Sequence, residues 1–395
     1  MRTAILLILL LPISAFAADW SLPLNGYYRL GHYMPVRFPA SAAEFRISAD
    51  GMVKTVVSNP VGGVAPCFVS REPAPDSPMA VQLHELGLDE RLVGIAADAG
   101  DIPQILFPGQ KILTVPLDPV HPLEGSPAAW QTLDAIVMTN SAAASLPRDE
   151  INSLLAGGVS LAVSGGDQSA PSAQWPWQPV HGGWILRAPA APIAAASDDF
   201  YTPITGWSPG RPPIYRWQIV VFGVILAIAV LLISLLAPRW SGALALLLAI
   251  AAIVAAGLWQ KFQPEYSENG GAIVSPDAVD VWVFDRALLP CVIHKLYRGL
   301  LLPIVPVHGG PDAVTLMCDP AGTPTSLDYQ LTAGRAGVSL QRSTLIPHPV
   351  DTSPEITTPL RFLLPFYPGL SPVGQIAQPG GWPSLVLAKS DAIPK

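Results

Sequence analysis

The residue whose type and setting could do covalent chemistry is Ser164, in the run VSLAVSGG over 159–166. A serine hydroxyl attacks a carbonyl only when a positioned base takes its proton and N–H groups receive the developing oxyanion. The nearest candidate base is His181, in PVHGGW, and Asp167 lies between the two in the order serine, acid, histidine. Ser164 and His181 are therefore the candidate catalytic residues, and sequence proximity alone does not bring them together. Asp98, Asp101 and Asp118 follow apolar runs and stand where they could line a crevice at the carboxyl edge of a sheet. Aspartates at such places also make turns, which is the commoner use. The seven histidines form no two-histidine helical pair and no Cys-His cluster, so no metal is expected. The Gly-Gly pairs at 62, 157, 165, 182 and 309 lack the spacing of a phosphate-binding loop, and no cofactor is expected.

Such residues need elements to hold them. LVGIAAD (92–98), KILTVPLD (111–118), LDAIVMTN (133–140) and VSLAVSGG (159–166) are compact apolar runs of buried-strand type. Between the last two lies LPRDEINSLLAGG: Pro147 suits a first helical turn, Asp149 and Glu150 favour its positive end, and Gly157-Gly158 close it. Strand, helix and strand in that order predict a parallel α/β sheet, with GWILRAP (183–189) as a further strand. Before it, YYRLGHYMPVRF, EFRISADG and VKTVVSN alternate with period two and predict a small antiparallel β module. Late in the chain VDVWVFDR, AVTLMCD, LDYQLTAG and GVSLQRS predict a second β-rich part, and LLPCVIHKLYRGLLL (288–302) reads as a surface helix.

WQTLDAIVMTN followed by LPRDEINSLLAGGVSLAVSGG resembles the class I glutamine amidotransferase-like fold over residues 80–190, about a quarter of the chain. The resemblance implies a flavodoxin-like α/β domain with a nucleophile elbow after its strand. Active members carry L-G-x-C-x-G there. Leu161-Ala162-Val163-Ser164-Gly165-Gly166 has Ala162 in place of the first glycine and Ser164 in place of the cysteine. The family's base is a histidine, usually in His-Pro-Glu. His181 lacks that context, and His348, which does precede Pro349, falls in another domain. The resemblance thus implies a degenerate domain without the family's chemistry.

Composition points to a membrane. Charged residues make up 13%, hydrophobic residues 50%, with 44 prolines and a mean hydropathy of +0.40. The net charge of -7 carries no basic block, which excludes a nucleic-acid surface. Arg2, the apolar run from Ala4 and Ala15-Phe16-Ala17 predict a signal peptide over 1–18. Residues 217–236 and 241–259 lack ionisable side chains and are each about 30 Å long as helices, so they predict a transmembrane hairpin. Trp217, Trp240 and Trp259 stand at the span ends as membrane-interface anchors. With Cys67 left over, Cys291 and Cys318 are the pair that could form a disulfide in an exported chain, the alternative being three small buried hydrophobes.

These signals divide the chain into a signal peptide (1–18), a β module (19–78), an α/β amidotransferase-like domain (79–200), a linker (201–216), a hairpin (217–236, 237–240 and 241–259), a mainly β domain (263–346) and a Pro-rich tail (347–395). The expected placement is the cytoplasmic (inner) membrane, with both large parts on the periplasmic or extracellular side. The lipid bilayer and other envelope membrane proteins are the expected partners. The expected function is non-catalytic protein interaction or assembly. The alternatives are a membrane-bound hydrolase or amidotransferase relative using Ser164, and a periplasmic ligand-binding or sensing module.

Overall fold

A computed structural model describes residues 20–40, 43–48, 51–72, 82–165, 169–172, 174–189, 266–275, 278–297, 299–305, 310–344, 370–377 and 383–389, with isolated helical positions between 224 and 250. Near its start lie β1 (Tyr27–Tyr28), β2 (His32–Phe38), β3 (Glu44–Ile47), β4 (Lys54–Ser58), β5 (Gly63–Val69) and β6 (His84–Glu85). The period-two pattern is realised in β3, where Phe45 and Ile47 are buried while Glu44 and Arg46 face water. β2 and β5 form an antiparallel ribbon, as do β3 and β4.

The next stretch holds β7 (Glu90–Ile95), α1 (Ile102–Leu106), β8 (Lys111–Pro116), a 3-10 turn (Pro127–Trp130), β9 (Ala135–Met138), α2 (Asn140–Ser145), α3 (Arg148–Ala156) and β10 (Ser160–Ser164). β7 to β10 run parallel in the order β8-β7-β9-β10, and the sheet is completed by antiparallel β12 (Gly183–Leu186) and β11 (Gln178–Val180). Both faces are covered, so the strands read as continuous apolar runs. Leu92, Ile136, Met138, Leu161 and Val163 meet Ile151, Leu154 and Leu155 of α3 on one face. On the other, Val93, Ala135, Val137 and Ala162 meet Ile102 and Leu106 of α1. α3 ends at Gly157-Gly158, where Gly158 takes a φ of 89° that an L side chain would strain to adopt.

The remaining strands are β13 (Tyr266–Val274), β14 (Val279–Ala287), β15 (Cys291–Leu296), β16 (Leu300–Ile304), β17 (Ala313–Cys318), β18 (Pro324–Leu331), β19 (Ala336–Ser343), β20 (Leu370–Ala377) and β21 (Pro383–Lys389). They do not fold apart from the amino-terminal strands. β4 pairs parallel with β17, Thr55 opposite Leu316, giving a five-stranded sheet in the order β15-β18-β17-β4-β3. The other strands form a six-stranded sheet, β16-β19-β14-β13-β21-β20, so residues expected in a Pro-rich tail supply two of its strands. One apolar core runs from Tyr33, Phe45 and Phe68 to Trp282, Leu316 and Leu340.

Tyr33 ties this β body to the parallel sheet. Its N–H donates to Gln131 Oε1 (3.4 Å), its carbonyl accepts from Thr132 Oγ1 (2.9 Å) and its hydroxyl donates to the Leu301 carbonyl (2.8 Å). Asp134 adds a charged tie. It receives Arg29 Nη2 at 2.7 Å, Arg91 Nη1 at 3.1 Å and the Leu92 N–H at 2.8 Å. At the far side Thr344 donates its N–H to Asn152 Oδ1 of α3 at 3.2 Å.

Several expectations are corrected. The chain is mainly β, 21 strands against three α-helices of five to nine residues among the described residues, and not an α/β flavodoxin-like ectodomain with a hairpin and a separate β domain. The parallel unit is one sheet within a chain whose β strands come from both sides of it in sequence. No helix among the described residues is long and apolar enough to cross a membrane. On that finding the transmembrane helices and the inner-membrane placement built on them are corrected: α1, α2 and α3 run five to nine residues, where a span needs about 20. The segments 217–236 and 241–259 lie outside the described residues except for isolated helical positions, and so do Trp217, Trp240, Trp259 and residues 1–18. The surface helix expected over 288–302 is β15 and β16, with Gly299 between them at a φ of 63°. No disulfide joins Cys291 to Cys318. β15 and β17 are separated by β18, which places two strands about 9.5 Å apart and beyond the reach of a disulfide.

Candidate functional site

The carboxyl edge of the parallel sheet is where its loops converge. The strand order reverses between β7 and β9, because β8 lies to one side of β7 and β9 to the other. A crevice outside the strand ends at such a point is the usual ligand position in parallel sheets. Here the strand ends at that point are followed by Ala96 to Asp98 after β7, Thr139 to Ser141 after β9, and Ser164-Gly165 after β10.

Each segment has a local cause. Thr139 is extended and caps α2, its Oγ1 accepting the Ala142 N–H at 3.2 Å. Asn140 Nδ2 donates to the Ser169 carbonyl at 3.4 Å, while its Oδ1 is buried and takes no hydrogen bond among the described residues. Asp98 Oδ1 accepts from the Gly100 N–H at 3.3 Å and closes its own turn. Asp118 Oδ1 accepts from the N–H groups of His121 and Val120 at 2.8 and 2.7 Å, and these two bonds hold its carboxyl below the usual range. Asp101 precedes α1 without a side-chain cap. These aspartates are turn residues.

Ser164 ends β10 and pairs with Gly183 of β12. His181 sits at the exposed turn between β11 and β12, two residues earlier. No hydrogen bond joins Ser164 to a histidine among the described residues, and Asp167 lies outside them. The backbone is more decisive. In a nucleophile elbow the N–H of the residue after the nucleophile points at the oxyanion. Here the Gly165 N–H is held by the Gly182 carbonyl at 2.9 Å, so the hairpin consumes that donor. Gly183 makes this closeness possible: a Cβ there would stand 1.8 Å from the Val163 carbonyl oxygen.

Comparison with family models, with curated proteins and with solved structures finds no match.

Among the described residues no cluster of three or more histidine, cysteine or carboxylate side chains could hold a metal ion. The strongest ionic grouping lies elsewhere, between the two β sheets. Lys295 Nζ of β15 reaches Asp285 Oδ1 of β14 at 2.8 Å and Glu268 Oε2 of β13 at 2.6 Å. Asp285 is fully buried, and its oxygens have that ion contact without a well-directed hydrogen bond among the described residues. Burial pushes its carboxyl up to about 6, against the pull of Lys295. Burial lowers Lys295, but Asp285 and Glu268 outweigh it and hold the ammonium above its ordinary value. Sequence reading missed this trio because its members belong to three strands. The only local signal was a charged residue at a core-facing position of an apolar strand.

Proposed function

We propose that this chain is a non-catalytic binding protein whose parallel sheet offers its carboxyl edge, around Thr139, Asn140 and Ser164, to a partner protein. The observation that carries the reading is the bond from the Gly165 N–H to the Gly182 carbonyl. It leaves the turn in the shape of an elbow without the donor that acyl transfer needs, as when a fold is kept and its chemistry is not. The exposed Ser141, Gly165 and His181 give this edge hydrogen-bonding groups at its surface. A second reading, a small polar ligand at the same edge, is favoured by the Asn140 Oδ1, which has no hydrogen-bond partner among the described residues.

Two measurements on the full chain test this. A fluorophosphonate probe should label Ser164 no more than the background left in Ser164→Ala. A photocrosslinking residue at Ser141 should trap a partner in cells, and one at Gln110, on the opposite edge of the sheet, should not. Labelling of Ser164 that disappears in His181→Ala would establish a hydrolase and end the proposal. Equal trapping from both edges would remove the carboxyl edge as the binding surface.

A further inference from the structure

A surface away from the carboxyl edge carries a separate inference. β15 is an outer strand of the five-stranded sheet, and among the described residues no strand pairs with its free side. The Tyr297 N–H donates to the Thr325 carbonyl at 2.9 Å, in register with Cys291 opposite Leu331. In an antiparallel pair, bonded residues alternate, so the odd-numbered residues of β15 bond to β18. The N–H and carbonyl groups of Val292, His294 and Leu296 therefore point off the sheet edge.

The side chains of these three residues also face water. Val292 is 52% exposed and Leu296 69%, and the His294 ring lies 3.0 Å from Asp328 Oδ1. Edges of this kind are usually blunted by a lysine or an inward-pointing charge, which a pairing strand would leave stranded. Lys295 is the charge on β15, but it is turned inward and already matched by Asp285 and Glu268. Pairing at the edge would strand nothing.

We propose that β15 pairs antiparallel with β15 of a second copy of this chain, with His294 on the two-fold axis, joining two five-stranded sheets into one. The strand is self-complementary in this register. Val292 falls opposite Leu296 of the other copy, Leu296 opposite its Val292, and His294 opposite its His294. Every other antiparallel register that uses the free edge groups leaves at least one of the three residues unpaired. Both exposed aliphatic side chains gain a cross-strand apolar partner. The Asp328 carboxylates flank the two imidazoles from either side. The interface is isologous and closes on itself, so association stops at two copies at this edge.

Sedimentation velocity on the full chain should resolve a concentration-dependent dimer. Val292→Lys combined with Leu296→Lys should weaken it at least tenfold, while Leu88→Lys, at a residue 94% exposed elsewhere, should leave it unchanged. His294→Pro is the sharper variant: it removes an N–H that β18 does not use, so thermal unfolding should be retained and dimerisation lost. His294→Cys provides a check that does not depend on those variants folding. Paired residues at the axis have Cα atoms about 5.5 Å apart, within disulfide range, so mild oxidation should trap a symmetric dimer through residue 294. Arg46→Cys, on β3 at the opposite edge, should trap none. A chain that stays monomeric at every concentration overturns the proposal. So does a dimer indifferent to His294→Pro, or a 294 variant that cannot be trapped.

Discussion

Replacing Lys295 by methionine keeps the stem of the side chain and removes its charge, which leaves Asp285 as a fully buried carboxylate without a cation. Removing one partner of a buried pair costs about 3 kcal/mol, because the survivor keeps its desolvation penalty. The loss depends on pH in a direction the structure fixes. The folded-state pKa of Asp285, about 6, is above its ordinary value of 3.8, so the folded chain holds this proton more tightly than the unfolded chain. The contribution of Asp285 to stability is therefore most favourable below about pH 4. It declines as pH rises from 4 to 6, by about 3 kcal/mol at 1.4 kcal/mol per unit, and is constant above. Without Lys295 the carboxyl must rise further, and the decline must extend to higher pH. Urea unfolding of wild type and Lys295→Met at half-unit steps from pH 4.5 to 8 measures both effects, and their difference cancels the titration of all other groups. The expected difference is about 3 kcal/mol at pH 7.5, shrinking below about 1 kcal/mol at pH 4.5, where only the partly exposed contact of Lys295 with Glu268 is lost. A difference that stays flat with pH, or is absent at pH 7.5, would refute the buried ion pair.

The other expectations concern the ties between the sheets and the thiols. Tyr33→Phe removes the hydroxyl donated to the Leu301 carbonyl and should cost about 1–2 kcal/mol in urea unfolding, with an unchanged fold by circular dichroism. Asp134→Ala removes the carboxylate shared by Arg29, Arg91 and the Leu92 N–H and should cost about 3 kcal/mol. Asp134→Asn, which can still accept from Leu92, should lose less. Burial pushes the Cys67 thiol up to about 12 and the Cys318 thiol higher still, so under native conditions iodoacetamide should modify Cys291 alone, with all three modified in denaturant by mass spectrometry. Native modification of Cys67 would contradict its burial.

The strands of the parallel sheet were legible because each carries its own signal. LVGI, AIVM and SLAV are runs buried on both faces, KILTV is a half-buried apolar run at the sheet edge, and α3 is bounded by Pro147 and Gly157, so periodicity and punctuation locate them without tertiary knowledge. The β body was legible only in pieces. Nothing local to VKTVVSN says that Thr55 will lie opposite Leu316, some 260 positions later, since pairing partners are chosen by shape and register. LLPCVIHKLYRGLLL misled for a related reason. Its apolar residues fit a helical face as well as two strands, and the arbiter is Gly299, whose left-handed backbone ends one strand and starts the next.

The candidate site was least legible where it mattered most. VSLAVSGG does encode a strand that ends in a sharp turn, and the turn occupies the place a nucleophile would. Whether it can act as one depends on where the Gly165 N–H points, and that is decided by the Gly182 carbonyl across a hairpin. Gly183 permits the approach, since any larger residue would collide with the Val163 carbonyl. A motif match weighs Ser164 and its glycines, yet the residues that close the elbow lie 17 to 19 positions downstream in HGGW, where the same sequence was read as a possible base. The glycines of that segment thus say more about the turn than its histidine does: they let the backbone just before β12 take the Gly165 N–H, the donor that an elbow would aim at an oxyanion.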